Sequence, residues 1–134
     1  MKLLVIDGQG GQLGASIIKA VSERFPDVEI LAVGTNANAT AAMVKAGAKK
    51  VATGENPVVV AAKKADVIIG PIGIVIADSL LGEITPKMAY ATGSSDAVKI
   101  LIPMNRCDNI VAGVPSVPVS VLIEDAVNKL SDIV

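Results

Sequence analysis

Asp7-Gly8-Gln9-Gly10-Gly11-Gln12-Leu13-Gly14 joins two segments of different period. Before it, Lys2-Leu-Leu-Val-Ile-Asp7 is a short apolar run, the form of a strand buried on both faces. After it, Leu13, Ile17, Val21 and Phe25 recur at helical spacing, with Lys19 and Glu23 opposite, until Pro26 forbids continuation. A buried strand, a glycine turn and a helix are the opening of a βαβ unit. The glycines are not spaced G-x-G-x-x-G, because the third would fall on Leu13; they fit G-x-x-G-x-x-G through Gly8, Gly11 and Gly14. Glycines let a phosphate approach backbone N–H groups closely, and the helix N-terminus adds partial positive charge. The same turn can also serve as plain strand–helix packing. No lysine follows Gly14, so this is not a P-loop and ATP hydrolysis loses its main support.

The pattern repeats along the chain. Residues 28–33 form a second buried strand ended by Gly34-Thr35-Asn36, and Asn38 or Thr40 is placed to cap an Ala-rich helix that stops at Gly47. A short strand at 50–53 leads to Gly54-Glu-Asn56-Pro57, which predicts a helix capped by Asn56 with Pro57 first in the helix, running to about Ala65. Strands follow at 66–70 and 98–102, with a sixth expected at 110–112. Between them, Thr85-Pro86 opens a helix that closes near Gly93, and the last helix sets Ile123, Val127, Leu130 and Val134 on one face. Alternating strands and helices imply crossover connections. The expectation is an α/β protein: a three-layer, doubly wound, mostly parallel sheet of five to six strands, Rossmann-like, in one domain over residues 1–134.

Composition narrows function by exclusion. Among 134 residues there is no His and a single Cys, Cys107. Ser-His-Asp triads, His-ligated zinc and imidazole acid–base chemistry are excluded, as is an internal disulfide. No metal site is expected; a magnesium role for Asp7 is the sharper alternative to an Asx-type bond from Asp7 to the turn amides. With one Tyr, one Phe and a net charge of −1, the chain has neither stacking platforms nor a basic footprint for nucleic acid. No uncharged run reaches the ~20 residues a spanning helix needs, so no membrane partner is expected and the reading is cytoplasmic.

The candidate ligand contacts all fall where an open parallel sheet has its carboxyl edge. They are Gly8, Gln9, Gly10, Gly11, Gln12, Leu13 and Gly14 in the turn; Thr35 and Asn36 after the second strand; Gly70, Pro71 and Ile72 after the fourth; and Asn105 and Arg106 after the fifth. Arg106, one of two arginines, can clamp an anion bidentately or pair with Asp108 on the surface. The second strand ends without the acid that usually binds a ribose hydroxyl, and no Arg follows for a 2′-phosphate, so NADP is only weakly favoured over NAD. NADP, NAD or another adenine nucleotide fits the turn. Tyr90 has Ser94, not Lys, four residues on, so the reductase Tyr-x-x-x-Lys pair is missing.

Ile6-Asp-Gly-Gln-Gly-Gly11, Gly34-Thr-Asn-Ala37, Ala52-Thr-Gly-Glu-Asn56, Gly70-Pro-Ile-Gly-Ile-Val-Ile-Ala77, Leu81-Gly-Glu-Ile-Thr-Pro-Lys-Met88 and Ile102-Pro-Met-Asn-Arg-Cys107 together resemble an uncharacterised bacterial family, carried as a domain of unknown function with Rossmann-like character. The resemblance covers nearly the whole chain. It implies the fold and leaves the activity open. Three functions remain in play. One is a non-catalytic or regulatory module that binds a small phosphate-bearing ligand. A minimal NADP-dependent reductase completed by oligomerisation would have to use Cys107, Asp7, Asp78 or Glu83. An interaction subunit would leave the turn empty and dock through 72–81. A homodimer burying part of 72–81 or the last helix is expected from the 51% hydrophobic composition.

Overall fold

The computed structural model describes residues 1–104 and 109–134. Five strands, β1 (Lys2–Asp7), β2 (Glu29–Gly34), β3 (Lys50–Thr53), β4 (Val67–Pro71) and β5 (Val98–Ile102), form one sheet in the order β3-β2-β1-β4-β5. All four pairings are parallel, and β1 lies at the centre with Ile6 opposite Val33 and Val5 opposite Ile69. The order reverses direction between β1 and β4. That is the doubly wound arrangement, and its crevice opens beyond the carboxyl ends of those two strands.

Helices α1 (Gln12–Arg24), α2 (Ala37–Lys45), α3 (Glu55–Ala62), α4 (Pro86–Gly93) and α5 (Val119–Ser131) cover both faces. Strand side chains alternate, so β1 sends Leu3 and Val5 into one core and Leu4 and Ile6 into the other. The first core is completed by Ile17, Ile18 and Val21 of α1, Met43 of α2 and Val127 and Leu130 of α5. The second takes Val58 and Ala62 of α3, Met88 of α4, and Ile74, Leu80 and Ile84 from the connection after β4. This double burial is why β1 and β4 read as unbroken apolar runs.

Several local expectations are corrected. The cap of α2 is Asn36, whose side chain accepts from the Ala39 N–H at 2.9 Å, not Asn38 or Thr40. Helix α3 begins one residue before Asn56, after Gly54 at φ 104°, so Pro57 is third in the helix. Proline is tolerated there because first-turn N–H groups have no intrahelical acceptor. Thr85 caps α4 as expected, bonding Met88 N–H at 3.2 Å. No sixth strand forms at 110–112; Ile110 is 95% exposed, and Gly113 and Pro115 follow too closely for a strand to lengthen. Residues 72–81, read from the sequence as an apolar docking stretch, are mixed: a 3₁₀ turn (Ile72–Val75) and tight bends bury Ile74 and Leu80, while Ala77, Asp78 and Leu81 are exposed.

Candidate functional site: the glycine turn and its carboxylates

The turn after β1 is closed by the Gly11 N–H donating to the Gly8 carbonyl at 2.9 Å. Its four glycines sit in different surroundings, and a Cβ at Gly8 would lie 2.7 Å from Thr35 Oγ1 and 2.9 Å from Glu83 Oε1. Gly11 caps α1 at φ 74°, and a Cβ there would lie 2.6 Å from the Ala39 carbonyl oxygen, so α2 packs directly on it. At Gly14 a Cβ would lie 2.7 Å from Met43 Sδ and 2.9 Å from Asp7 Cβ. Gly10 alone faces open space, with nothing within 4 Å. Gly11 and Gly14 are thus required by packing, and only Gly10 offers room for a ligand. Gln9, Gly10 and Gln12 are exposed, whereas Leu13 and Gly14 are buried.

Asp7 supplies the turn with internal order. Its Oδ1 accepts from Gly8 N–H at 2.8 Å and its Oδ2 from Gly14 N–H at 2.7 Å, the Asx-type bonding expected from sequence. Burial pushes the Asp7 carboxyl above its ordinary value, against the opposing pull of those amides, and the neighbouring Glu83 pushes the same way. Among the described residues no group of three His, Cys, Asp or Glu is placed to hold a metal ion. At the start of α1 the amides of Gln12 and Leu13 have no intrahelical acceptor.

Thr35 and Asn36 do reach the turn, through a residue the ligand set omits. Glu83 Oε1 accepts from Gln9 N–H at 2.8 Å, Thr35 Oγ1 at 2.5 Å and Asn36 Nδ2 at 2.9 Å. Asn36 Nδ2 also donates to the Gln9 carbonyl at 3.0 Å. Partial burial works against ionisation of Glu83, but the three donors outweigh it and hold its carboxyl below the ordinary range. Glu83 entered the sequence reading only as one acid of the reductase alternative and as part of the Leu81–Met88 stretch that carries the family resemblance, not as a ligand contact. The local signal beside it is Gly82, which marks a tight turn.

The remaining expected residues divide. Gly70 and Pro71 end β4, but a Cβ at Gly70 would lie 2.4 Å from the Ile6 carbonyl oxygen, so that glycine serves strand packing. Ile72 opens the 3₁₀ turn, half-buried. Asn105, Arg106 and Cys107 lie outside the described residues. Tyr90 stands 76% exposed on α4, in a groove with Lys63 and Lys87. A separate cavity of about 310 Å³, lined by Leu4, Leu31, Ala52 and Val60 with Lys2 and Lys64 among its polar residues, opens on the sheet face beside α3.

Compared with known families, residues 2–134 match the model of a domain of unknown function, DUF3842. The chain belongs to the DUF3842 family. No curated protein matches it. Among solved structures it is similar to a dodecameric FMN-dependent UbiX-like decarboxylase from Escherichia coli O157:H7, at 16% identity and a TM-score of 0.46, over 99% of this chain and 93% of that one. FMN and the dodecamer belong to that protein. Among the described residues of this DUF3842 chain, no helix is long and apolar enough to cross a membrane.

Proposed function

We propose that this DUF3842 protein is a single Rossmann-like domain that binds a small phosphate-bearing ligand, an adenine nucleotide, at the turn between β1 and α1, as a module without chemistry of its own. The observation that carries the reading is the open space over Gly10, between the exposed Gln9 and Gln12. It lies at the start of α1 and at the carboxyl end of the central strand, where helix amides and the helix dipole favour an anion. The non-catalytic part of the reading is supported by the carboxylates: both Asp7 oxygens are engaged by turn amides, and Glu83 Oε1 by three donors.

Gly11→Val, the obvious blocking substitution on sequence alone, is unsuitable because its side chain would collide with the α2 backbone. Gly10→Val keeps the fold and fills the space. Calorimetric titration of wild type with AMP, NAD and NADP is expected to show binding, weakened at least about tenfold by Gly10→Val at unchanged circular dichroism. Absence of binding by wild type to all three at millimolar concentration would refute the reading.

A further inference from the structure

Nucleotide-binding sheets of this order commonly carry an acid at the end of the second strand, which accepts from a ribose hydroxyl. Here β2 ends in Gly34-Thr35-Asn36, and no acid is present there. Glu83 fills the position through space. Its Oε1 is fixed by Thr35 and Asn36 at the β2 end and by the Gln9 amide of the turn. Its Oε2 has no partner among the described residues. A carboxylate held by three donors on one oxygen has little freedom, so the second oxygen is a pre-set acceptor.

The backbone around Glu83 is built at a cost. Asp78 (φ 64°), Leu80 (φ 54°) and Leu81 (φ 56°) are non-glycine residues in the left-handed region, clustered within four positions. Such strain persists only where the surroundings over-determine it, and it concentrates at binding sites. Leu80 and Ile84 are buried at 2% and 1% exposure, Asp78 N–H donates to the Ile84 carbonyl at 2.7 Å, and Ser79 Oγ donates to the Gly73 carbonyl. Two anchored side chains and two hydrogen bonds hold a contorted turn whose one half-buried acid faces the glycine turn and the end of β2.

We infer that Glu83 reads the ribose: it accepts a hydrogen bond from a sugar hydroxyl of the nucleotide at the glycine turn, and thereby selects a free 2′-hydroxyl over a 2′-phosphate. A 2′-phosphate would set its own negative charge against the carboxylate, while a hydroxyl donates to it. The inference rests on the nucleotide reading above and goes further by naming the residue that sets specificity.

The test is calorimetric titration with AMP and with adenosine 2′,5′-bisphosphate, a pair differing only in the 2′-phosphate. Wild type is expected to bind AMP at least about tenfold more tightly, the scale of one charge-assisted hydrogen bond. Glu83→Gln keeps the size of the side chain and should narrow that preference to within about threefold; Glu83→Asp, which withdraws the carboxylate by one methylene, should narrow it as well. Melting followed by circular dichroism establishes that both variants are folded. A wild type that binds the bisphosphate as well as AMP, or a Glu83→Gln variant with the full preference, overturns this inference and leaves the nucleotide reading standing. A wild type that binds neither overturns this inference, and the nucleotide reading falls with it only when NAD and NADP also fail to bind.

Discussion

Asp7 and Glu83 both accept hydrogen bonds from amides of the glycine turn, yet they titrate in opposite directions because burial wins for one and hydrogen bonding for the other. A carboxyl raised above its ordinary 3.8 makes the native state bind more protons than the unfolded chain. The stability from Asp7 is therefore fully present below 3.8 and is lost as pH rises through the folded value. Asp7→Asn has no such dependence, and it turns an NH₂ group toward one of the two amide donors. That mismatch costs about 1–3 kcal/mol. Its stability deficit against wild type in urea titrations should be greatest in acid and shrink as pH rises to about 7. A deficit that grows over that range would show that the amide bonds, not burial, dominate at Asp7. For Glu83 the sign reverses: its contribution is present above 4.5 and is lost as pH falls through its lowered value. The glycines make a second contrast at this scale. Gly10→Ala should change stability by no more than about 0.5 kcal/mol. Gly11→Ala combines a left-handed backbone with contact on the Ala39 main chain, and should cost about 2 kcal/mol or more.

Among the elements, legibility followed the range of the interaction that fixes each one. The buried strands were readable because a parallel strand covered on both faces is apolar throughout, as Leu3, Leu4, Val5 and Ile6 are. Thr85-Pro86 was readable because a cap and a proline act within one turn. The cap of α2 was not, since Asn36, Asn38 and Thr40 are all competent, and the choice is made by where β2 leaves the sheet at Gly34. The site was half legible. Its glycine turn is local, but Glu83 arrives from 47 residues beyond Asn36, just past the apolar stretch 72–81 that suggested an interface. Leu81 tests the strain in that segment. It stands at φ 56° with its side chain 91% exposed, so it gains almost no burial in return for a left-handed backbone. Leu81→Gly removes about 1–2 kcal/mol of strain and adds about 0.5–1 kcal/mol of unfolded-state entropy. A net stabilisation of up to about 1.5 kcal/mol is expected in denaturant titrations. A destabilised variant would mean that the Leu81 side chain is covered in solution.

For the molecule as a whole, the all-parallel sheet leaves two edges, β3 and β5. The accessible surface of 6860 Å² is close to the roughly 6,600 Å² of a folded monomer of this mass, so any dimer joins two complete protomers rather than intertwined ones. Residues 72–81 offer little for such an interface, because Ile74 and Leu80 are already inside the chain. The end of the molecule at β5 and α5 offers more. Val98 is 50% exposed on the edge strand and Ile133 41% exposed beyond α5, and both line a groove of about 320 Å³ with Ile100, Leu122 and Ala126. Edge strands with a long apolar run and few charges pair readily with another copy, and β5 carries only Lys99 against that. The proposed homodimer should therefore form here, burying on the order of 800 Å² per protomer. Light scattering should give a dimer at micromolar concentration, and Val98→Lys or Ile133→Glu should shift it to monomer with the circular dichroism unchanged. A wild type that stays monomeric across that range would remove the dimer. A dimer that survives both substitutions but dissociates in Leu81→Glu would instead move the interface to the strained turn, and place it beside Glu83.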